Sequence, residues 1–165
     1  MKKFFAFTAL LLTAALPSAF AQNSSVGTWK MDTAQSDFGP RPKPKSATLV
    51  ITKDTPQMLA WHEREMSADG KPSHDSWSGP EDGSMHTLKH TGGNGEFGIS
   101  GNSGNYTIHE KMADGTTSDA TVTRSDDGST MTEHITGKDK SGQPFTATIV
   151  WRKVHGTMHA KHKTM

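Results

Sequence analysis

The chain has 165 residues, with 18 Lys and Arg against 17 Asp and Glu, and it contains no cysteine. The near-neutral balance argues against nucleic acid as a partner, because nucleic-acid binding needs a basic surface, and the lack of cysteine excludes disulfides. A length of this order predicts one domain.

The first 21 residues have the pattern of a secretory signal peptide. Two lysines form a positively charged start, an apolar run covers residues 4–16, and Ala-Phe-Ala at 19–21 fits a signal peptidase site. The run is shorter than the roughly 20 apolar residues of a membrane span. We therefore predict a periplasmic or secreted protein with no stable membrane insertion after cleavage, whose domain covers residues 22–154.

Turn signals then recur along the chain at intervals of roughly 10–14 residues, as a β-meander requires. They are polar clusters that contain glycine, and they lie at Gly70, Gly83, 92–95, 102–105, Gly115, Gly128 and Gly142. Short segments between them alternate apolar and polar residues, and counting the segment at 26–31 about ten strands are expected. The segment at 39–45, which alternates proline with basic residues, is predicted to be an extended connector.

The order of these segments predicts how the sheet ends. An antiparallel meander leaves two unpaired edges unless it closes. We therefore predict an all-β fold, an antiparallel up-and-down meander closed into a barrel of about 8–10 strands. For the segment at 57–67 the inward face stays open, because Leu59 and Trp61 favour one orientation while Ala60 and Met66 favour the other.

Two short motifs resemble a known family. Gly27-Thr28-Trp29 is similar to the Gly-x-Trp signature of the lipocalin superfamily, and the pattern from Gly27 to Ser46 resembles small exported bacterial lipocalin-like proteins, which have a calycin-type β-barrel. In that fold the tryptophan closes one end of the barrel and an arginine from the last strand stacks on it. The resemblance thus implies a lipocalin-like barrel with Gly27, Trp29 and Arg152 as a structural end-plug, the last two in a cation–π contact.

The small number of bulky side chains bears on the interior. Eight aromatic residues remain after residue 21, and a barrel that side chains do not fill holds a cavity or is flattened. Trp61, Trp77 and Tyr106 are the candidate ligand-binding residues. The leading hypothesis is a non-enzymatic periplasmic or secreted protein that holds a small or apolar ligand in the barrel.

The segment at 155–165 is a predicted flexible tail rich in His and Met. Its candidate metal ligands are His155, Met158, His159 and His162. Imidazole with thioether suits copper, and imidazole alone suits zinc or nickel. Periplasmic metal binding through the tail is therefore an alternative function, although a solvated tail without a cofactor is the simpler interpretation.

Catalytic signatures are absent from the sequence. It has no Gly-x-Ser-x-Gly motif and no phosphate-binding glycine loop. Glu63 and Glu65 share one face of a strand and could share a proton, but a solvated charged stripe is the more common arrangement. We expect no enzymatic activity, and a third hypothesis is an envelope protein that binds a protein partner through its outer face.

Overall fold

The structure is a computed structural model, and it describes residues 25–55, 57–102 and 104–154. Within these ranges the regular elements are β1 (Gly27–Met31), β2 (Ser46–Thr55), β3 (Met58–Met66), β4 (Pro72–Gly79), β5 (His86–His90), β6 (Gly95–Asn102), β7 (Asn105–Lys111), β8 (Thr117–Arg124), β9 (Thr130–Lys138) and β10 (Pro144–Lys153). In the same ranges, no helix has the length and apolar character needed to cross a membrane.

The ten strands form one closed sheet. Each strand pairs antiparallel with its predecessor in the chain, and β1 lies between β2 and β10, which closes the barrel. At the closure, Trp29 lies opposite Leu49 of β2 and Lys153 of β10. The predicted all-β, antiparallel and closed meander is therefore confirmed, with a strand number at the upper end of the predicted range.

The pairing also decides which face of β3 points inward. Leu59 is opposite Gly79 and Trp61 is opposite Trp77, and Leu59, Trp61, Glu63 and Glu65 all face the lumen. Because successive side chains of a strand point to opposite faces, His62 and Arg64 lie on the outer surface. The face that carries Leu59 and Trp61 is thus the inner one, although it also brings two glutamates inside.

Trp29 closes one end of the barrel. Its side chain is 0% exposed, and its indole N–H donates a hydrogen bond of 2.8 Å to the carbonyl oxygen of Ser25. The Nζ of Lys153 lies 5.2 Å from the centre of the Trp29 ring. Gly27, at φ +142°, leaves room for this lysine, since a Cβ there would meet Lys153 Cε at 3.0 Å. The cation at this end is attracted by the electron-rich face of the ring.

The cation over Trp29 is Lys153 rather than the predicted Arg152. Arg152 is opposite Lys30 and points outward, where it donates hydrogen bonds to Asp32, Gln35 and Thr130. Side chains alternate between faces along a strand, so an offset of one residue moves a side chain from inside to outside. Arg152 therefore tethers the loop after β1 to the outer wall.

The loop between β1 and β2 crosses the opposite end of the barrel. Asp37 exchanges two backbone hydrogen bonds with Thr148 of β10, at 2.8 and 2.7 Å. Gly39 follows at φ +57°, where a Cβ would lie 2.1 Å from the Thr146 carbonyl oxygen, so only glycine fits this close approach. The next turn places the Arg41 guanidinium 5.4 Å from the centre of the Phe145 ring.

We expect replacement of Trp29 to destabilise the barrel, and more so when the whole ring is lost than when only the indole N–H is lost. Trp29→Ala should lower the free energy of unfolding by about 3–5 kcal/mol because it leaves a large cavity, whereas Trp29→Phe should cost only about 1–2 kcal/mol, mostly for the lost N–H donor. Urea unfolding measures both, with the exposed Met58→Ala as a control. Equal losses for Trp29→Ala and Met58→Ala would contradict the role of Trp29 as the plug.

Candidate ligand-binding cavity

The barrel encloses a cavity of about 510 Å³. Barrel diameter grows with strand number, and eight strands already enclose a lumen that side chains just fill or that holds one small ligand. Ten strands therefore leave space that this chain, with few large side chains, does not fill. The volume lies within the roughly 300–1,000 Å³ that is usual for small-molecule sites.

The part of the cavity next to the plugged end has an apolar wall. Trp61 and Phe97 meet edge to face, with ring centres 5.4 Å apart, and Ile99, Ile108 and Tyr106 continue this surface. An apolar group that enters this part is removed from water, at roughly 25 cal/mol per Å² of buried apolar surface. This part of the cavity is suited to a hydrocarbon or an aromatic ring.

A group of five carboxylates lines the same cavity, and we call it the carboxylate band. Its members lie on four strands and are Glu63, Glu65, Asp75, Glu110 and Glu133. Strand alternation places them inside, because each one shares a face with an apolar residue two or four positions away, as Glu63 and Glu65 do with Trp61. The cavity is thus amphipathic, with one apolar part and one acidic part.

Only some carboxylates of the band have a hydrogen-bond or ion-pair partner among the described residues. His90 Nδ1 lies 2.5 Å from Asp75 Oδ1, and the hydroxyl of Ser118 donates to Glu110 Oε2 at 3.1 Å. The Glu63 carboxylate makes no hydrogen bond to the residues that the structure describes, although Glu63 lies beside Asp75 across the β3–β4 pair. Arg41, from the loop over this end, also reaches the cavity.

The four glutamates of the band hold their protons more tightly than ordinary glutamates do. Burial is the largest cause, and it raises the pKa of Glu133 to about 7, with a further contribution from the charge of Glu110. The pKa of Glu63 is raised well above its ordinary value by burial and then by the nearby Asp75 and Glu133. Burial also raises the pKa of Glu110 and Glu65, because the charged form is poorly solvated inside the barrel.

The cavity approaches solvent at the end that the β1–β2 loop crosses. Arg41 and Pro42 of this loop and Ala68 of the β3–β4 turn line the cavity, and all three are exposed on the protein surface. The opposite end is blocked by Trp29. A ligand would therefore enter past Arg41 and the carboxylate band and reach the apolar wall last.

Two of the three predicted ligand-binding residues lie on the cavity wall, namely Trp61 and Tyr106. Trp77 points inward but is only 3% exposed, and it packs against Phe97 with ring centres 5.0 Å apart. It supports the wall from behind and does not line the cavity. Ligand binding by these residues stays a prediction.

The predicted metal ligands His155, Met158, His159 and His162 lie outside the described residues. In the part of the chain that the structure does describe, no group of three or more His, Cys, Asp or Glu side chains could hold a metal ion.

Sequence reasoning missed most of the acidic part of the cavity. Glu63 and Glu65 were recognised as sharing a face, but that face could not be oriented from the sequence. Glu110 lies two residues from Ile108 on the same face of β7, and Glu133 lies between Met131 and Ile135 on the same face of β9, spacings that would have placed both inside. Arg41 carried no comparable signal, because it lies in a loop.

Comparisons with known proteins give one structural similarity and no sequence match. No protein-family model matches the chain, and no curated protein sequence matches it. The structure is similar to the crystal structure of Rv2717c from M. tuberculosis, with a TM-score of 0.47 and 15% sequence identity, over 79% of this chain and 92% of that chain. These findings assign neither a family nor a ligand.

We expect the stability of the unliganded protein to fall as the pH rises from about 4.5 to 7. The ordinary pKa of Glu133 is 4.5 and its pKa in the barrel is about 7, so the folded protein binds more protons than the unfolded chain across this window. Glu133→Gln removes the titrating group and should reduce the decline by on the order of 2 kcal/mol.

Urea unfolding at pH 5 and pH 8 measures this difference between the variant and the unchanged protein. Glu96→Gln is the control, because Glu96 is exposed and its carboxylate lies 3.9 Å from Lys111 on the outer wall. Parallel pH profiles for Glu133→Gln and the unchanged protein would contradict a raised pKa for Glu133.

Proposed function

We propose that this protein is a non-enzymatic binding protein that holds a small amphipathic molecule in its barrel. The observation that carries the proposal is the cavity of about 510 Å³ with an apolar wall and a polar band near its mouth. Small-molecule sites are concave, mostly apolar and supplied with a few polar groups that orient the ligand. The signal-like pattern of residues 1–21 supports export to the periplasm or secretion.

The cost of a cavity that side chains do not fill supports the same proposal. Unfilled space deprives its lining of dispersion contacts, and inward-facing carboxylates without full compensation lower stability. A barrel that served only as a structural module would be more stable with larger apolar side chains at Ala120, Glu63 or Glu133. Such departures from good packing are expected at functional sites.

The difference between the two ends supports one direction of entry. Trp29 is fully buried beneath Lys153, so this end is filled by a ring and a cation. At the other end the covering segment is one irregular loop, which carries the exposed Arg41 and Pro42. Loops move more readily than paired strands, and this end is the natural entrance.

We expect a bulky substitution in the cavity to abolish binding. Ala120 lines the cavity and Thr121, its neighbour on β8, is exposed on the outer wall. Ala120→Phe should weaken binding of the neutral fluorescent probe N-phenyl-1-naphthylamine by about tenfold or more, because the added ring occupies the apolar part. Ala120→Leu, which adds less volume, should have an intermediate effect.

Thr121→Phe is the matched control, since it adds the same ring outside the barrel and should leave probe affinity unchanged. Probe fluorescence measures binding, and circular dichroism verifies that each variant is folded. If the unchanged protein binds no probe, or if folded Ala120→Phe and Ala120→Leu bind it as well as the unchanged protein does, the cavity is not a binding site and the proposal fails.

A further inference from the structure

We propose that the ligand is an organic cation, an apolar or aromatic body with a protonated amine that binds among the carboxylates of the band. This inference rests on the proposed function and adds the chemical class of the ligand. It follows from the charge inside the cavity, from the spacing between acidic and apolar groups, and from a lumen-facing carboxylate that has no hydrogen-bond partner among the described residues.

The charges in the cavity favour a cationic ligand. Five carboxylates line it, and the lining contains a single cationic side chain, Arg41, among the residues that the structure describes. His90 compensates Asp75 from beside the band. Arg41 already interacts with the charges of Glu65, Glu110 and Glu133. A ligand anion would have to compete with three carboxylates for one guanidinium, whereas a ligand cation finds several acceptors.

Glu63 is the strongest single indication within the band. Its carboxylate faces the lumen, burial penalises its charged form, and it makes no hydrogen bond to the described residues. A carboxylate that is partly withdrawn from water is ordinarily compensated by hydrogen bonds or by a cation. A protonated amine in the lumen would supply both the missing partner and the compensating charge.

The spacing of acidic and apolar groups limits the size of the ligand. On β3, Trp61 and Glu63 are two residues apart on the inner face, and on β7 the same holds for Ile108 and Glu110. Two residues of a strand span about 6.5–7 Å. An amine that reaches the band therefore lies only a few bonds from a ring that contacts Trp61, as in an arylalkylamine.

The distribution of the carboxylates favours an organic cation over a metal ion. Glu63 and Asp75 are neighbours across the β3–β4 pair, while Glu110 and Glu133 lie on β7 and β9, farther around the barrel. Metal ions need several ligand atoms within about 2.5 Å, and no such group is formed by the described residues. An alkylammonium group with three N–H donors can use carboxylates that do not converge on one point.

The same arrangement couples binding to proton release. Burial raises the pKa of Glu133 to about 7, so part of the band is protonated near neutral pH before the ligand binds. The charged and titratable groups that line the cavity with Glu133 are Arg41, Glu63, Glu65, Asp75, Tyr106 and Glu110, and His90 lies beside Asp75. An ammonium ion favours the ionised carboxylate. Amine affinity should therefore increase from pH 6 to pH 8, with protons released on binding.

The test compares three probes that share one apolar body, namely phenylbutylamine, phenylbutanol and phenylbutyrate. Isothermal titration calorimetry of the full-length protein at pH 8 should give an affinity for the amine about tenfold or more above that for the alcohol, as expected for a charge-assisted hydrogen bond. The carboxylate probe should bind more weakly than the alcohol. Repetition in two buffers with different ionisation enthalpies measures the released protons.

Variants identify the residues responsible for the preference. Glu63→Gln and Glu133→Gln keep the side-chain shape and remove the charge, so each should lower amine affinity by about tenfold and leave alcohol affinity unchanged. Glu96→Gln, on the outer wall, should change neither. These changes remove buried like charges and are not expected to prevent folding.

Each contrary result has a separate meaning. Equal affinity for amine and alcohol, tightest binding of phenylbutyrate, or an amine preference that survives Glu63→Gln combined with Glu133→Gln would overturn the cationic ligand class. If the neutral naphthylamine probe still binds and Ala120→Phe still blocks it, the proposed binding function stands. If no probe of any charge binds, both proposals fail together.

Discussion

The pairing of β1 with β10 is the constraint on which the rest of the structure depends. It joins the ends of a ten-stranded meander and removes both free edges. Once the sheet is closed, strand number sets the diameter, and side-chain alternation assigns every strand residue to the lumen or to solvent. The cavity, the plug and the carboxylate band all follow from this closure, because none of them lies within a single strand or hairpin.

Closure makes the two ends of the barrel physically different. At one end, Trp29 is held by a hydrogen bond to the backbone of Ser25 and covered by Lys153, so side chains fill this end. At the other end, the loop after β1 is fixed to β10 through Asp37 and then crosses the opening with Arg41. One end is thus packed with side chains, and the other is crossed by a loop.

Stability and binding make opposing demands on the interior. Carboxylates inside a barrel cost free energy, since burial and mutual repulsion favour their protonated forms. Larger apolar residues would pack the lumen better. The chain instead keeps open space next to Trp61 and acidic groups such as Glu63 and Glu133, an arrangement that a bound cation would stabilise. Binding and protonation would then be alternative ways to neutralise the same groups.

Local sequence signals were enough to predict the strand rhythm, the antiparallel meander and the need for closure, because turn residues and period-two alternation are local properties. The resemblance of Gly27-Thr28-Trp29 to a family signature implied the Trp29 plug, and the few aromatic residues pointed to Trp61 and Tyr106 as candidates for the cavity. The folded sheet was needed to show that Lys153, not Arg152, covers Trp29, and that Glu110 and Glu133 share a cavity with Glu63. The reason is register: pairing across the closed sheet decides which face is inner, and a shift of one residue exchanges the two faces.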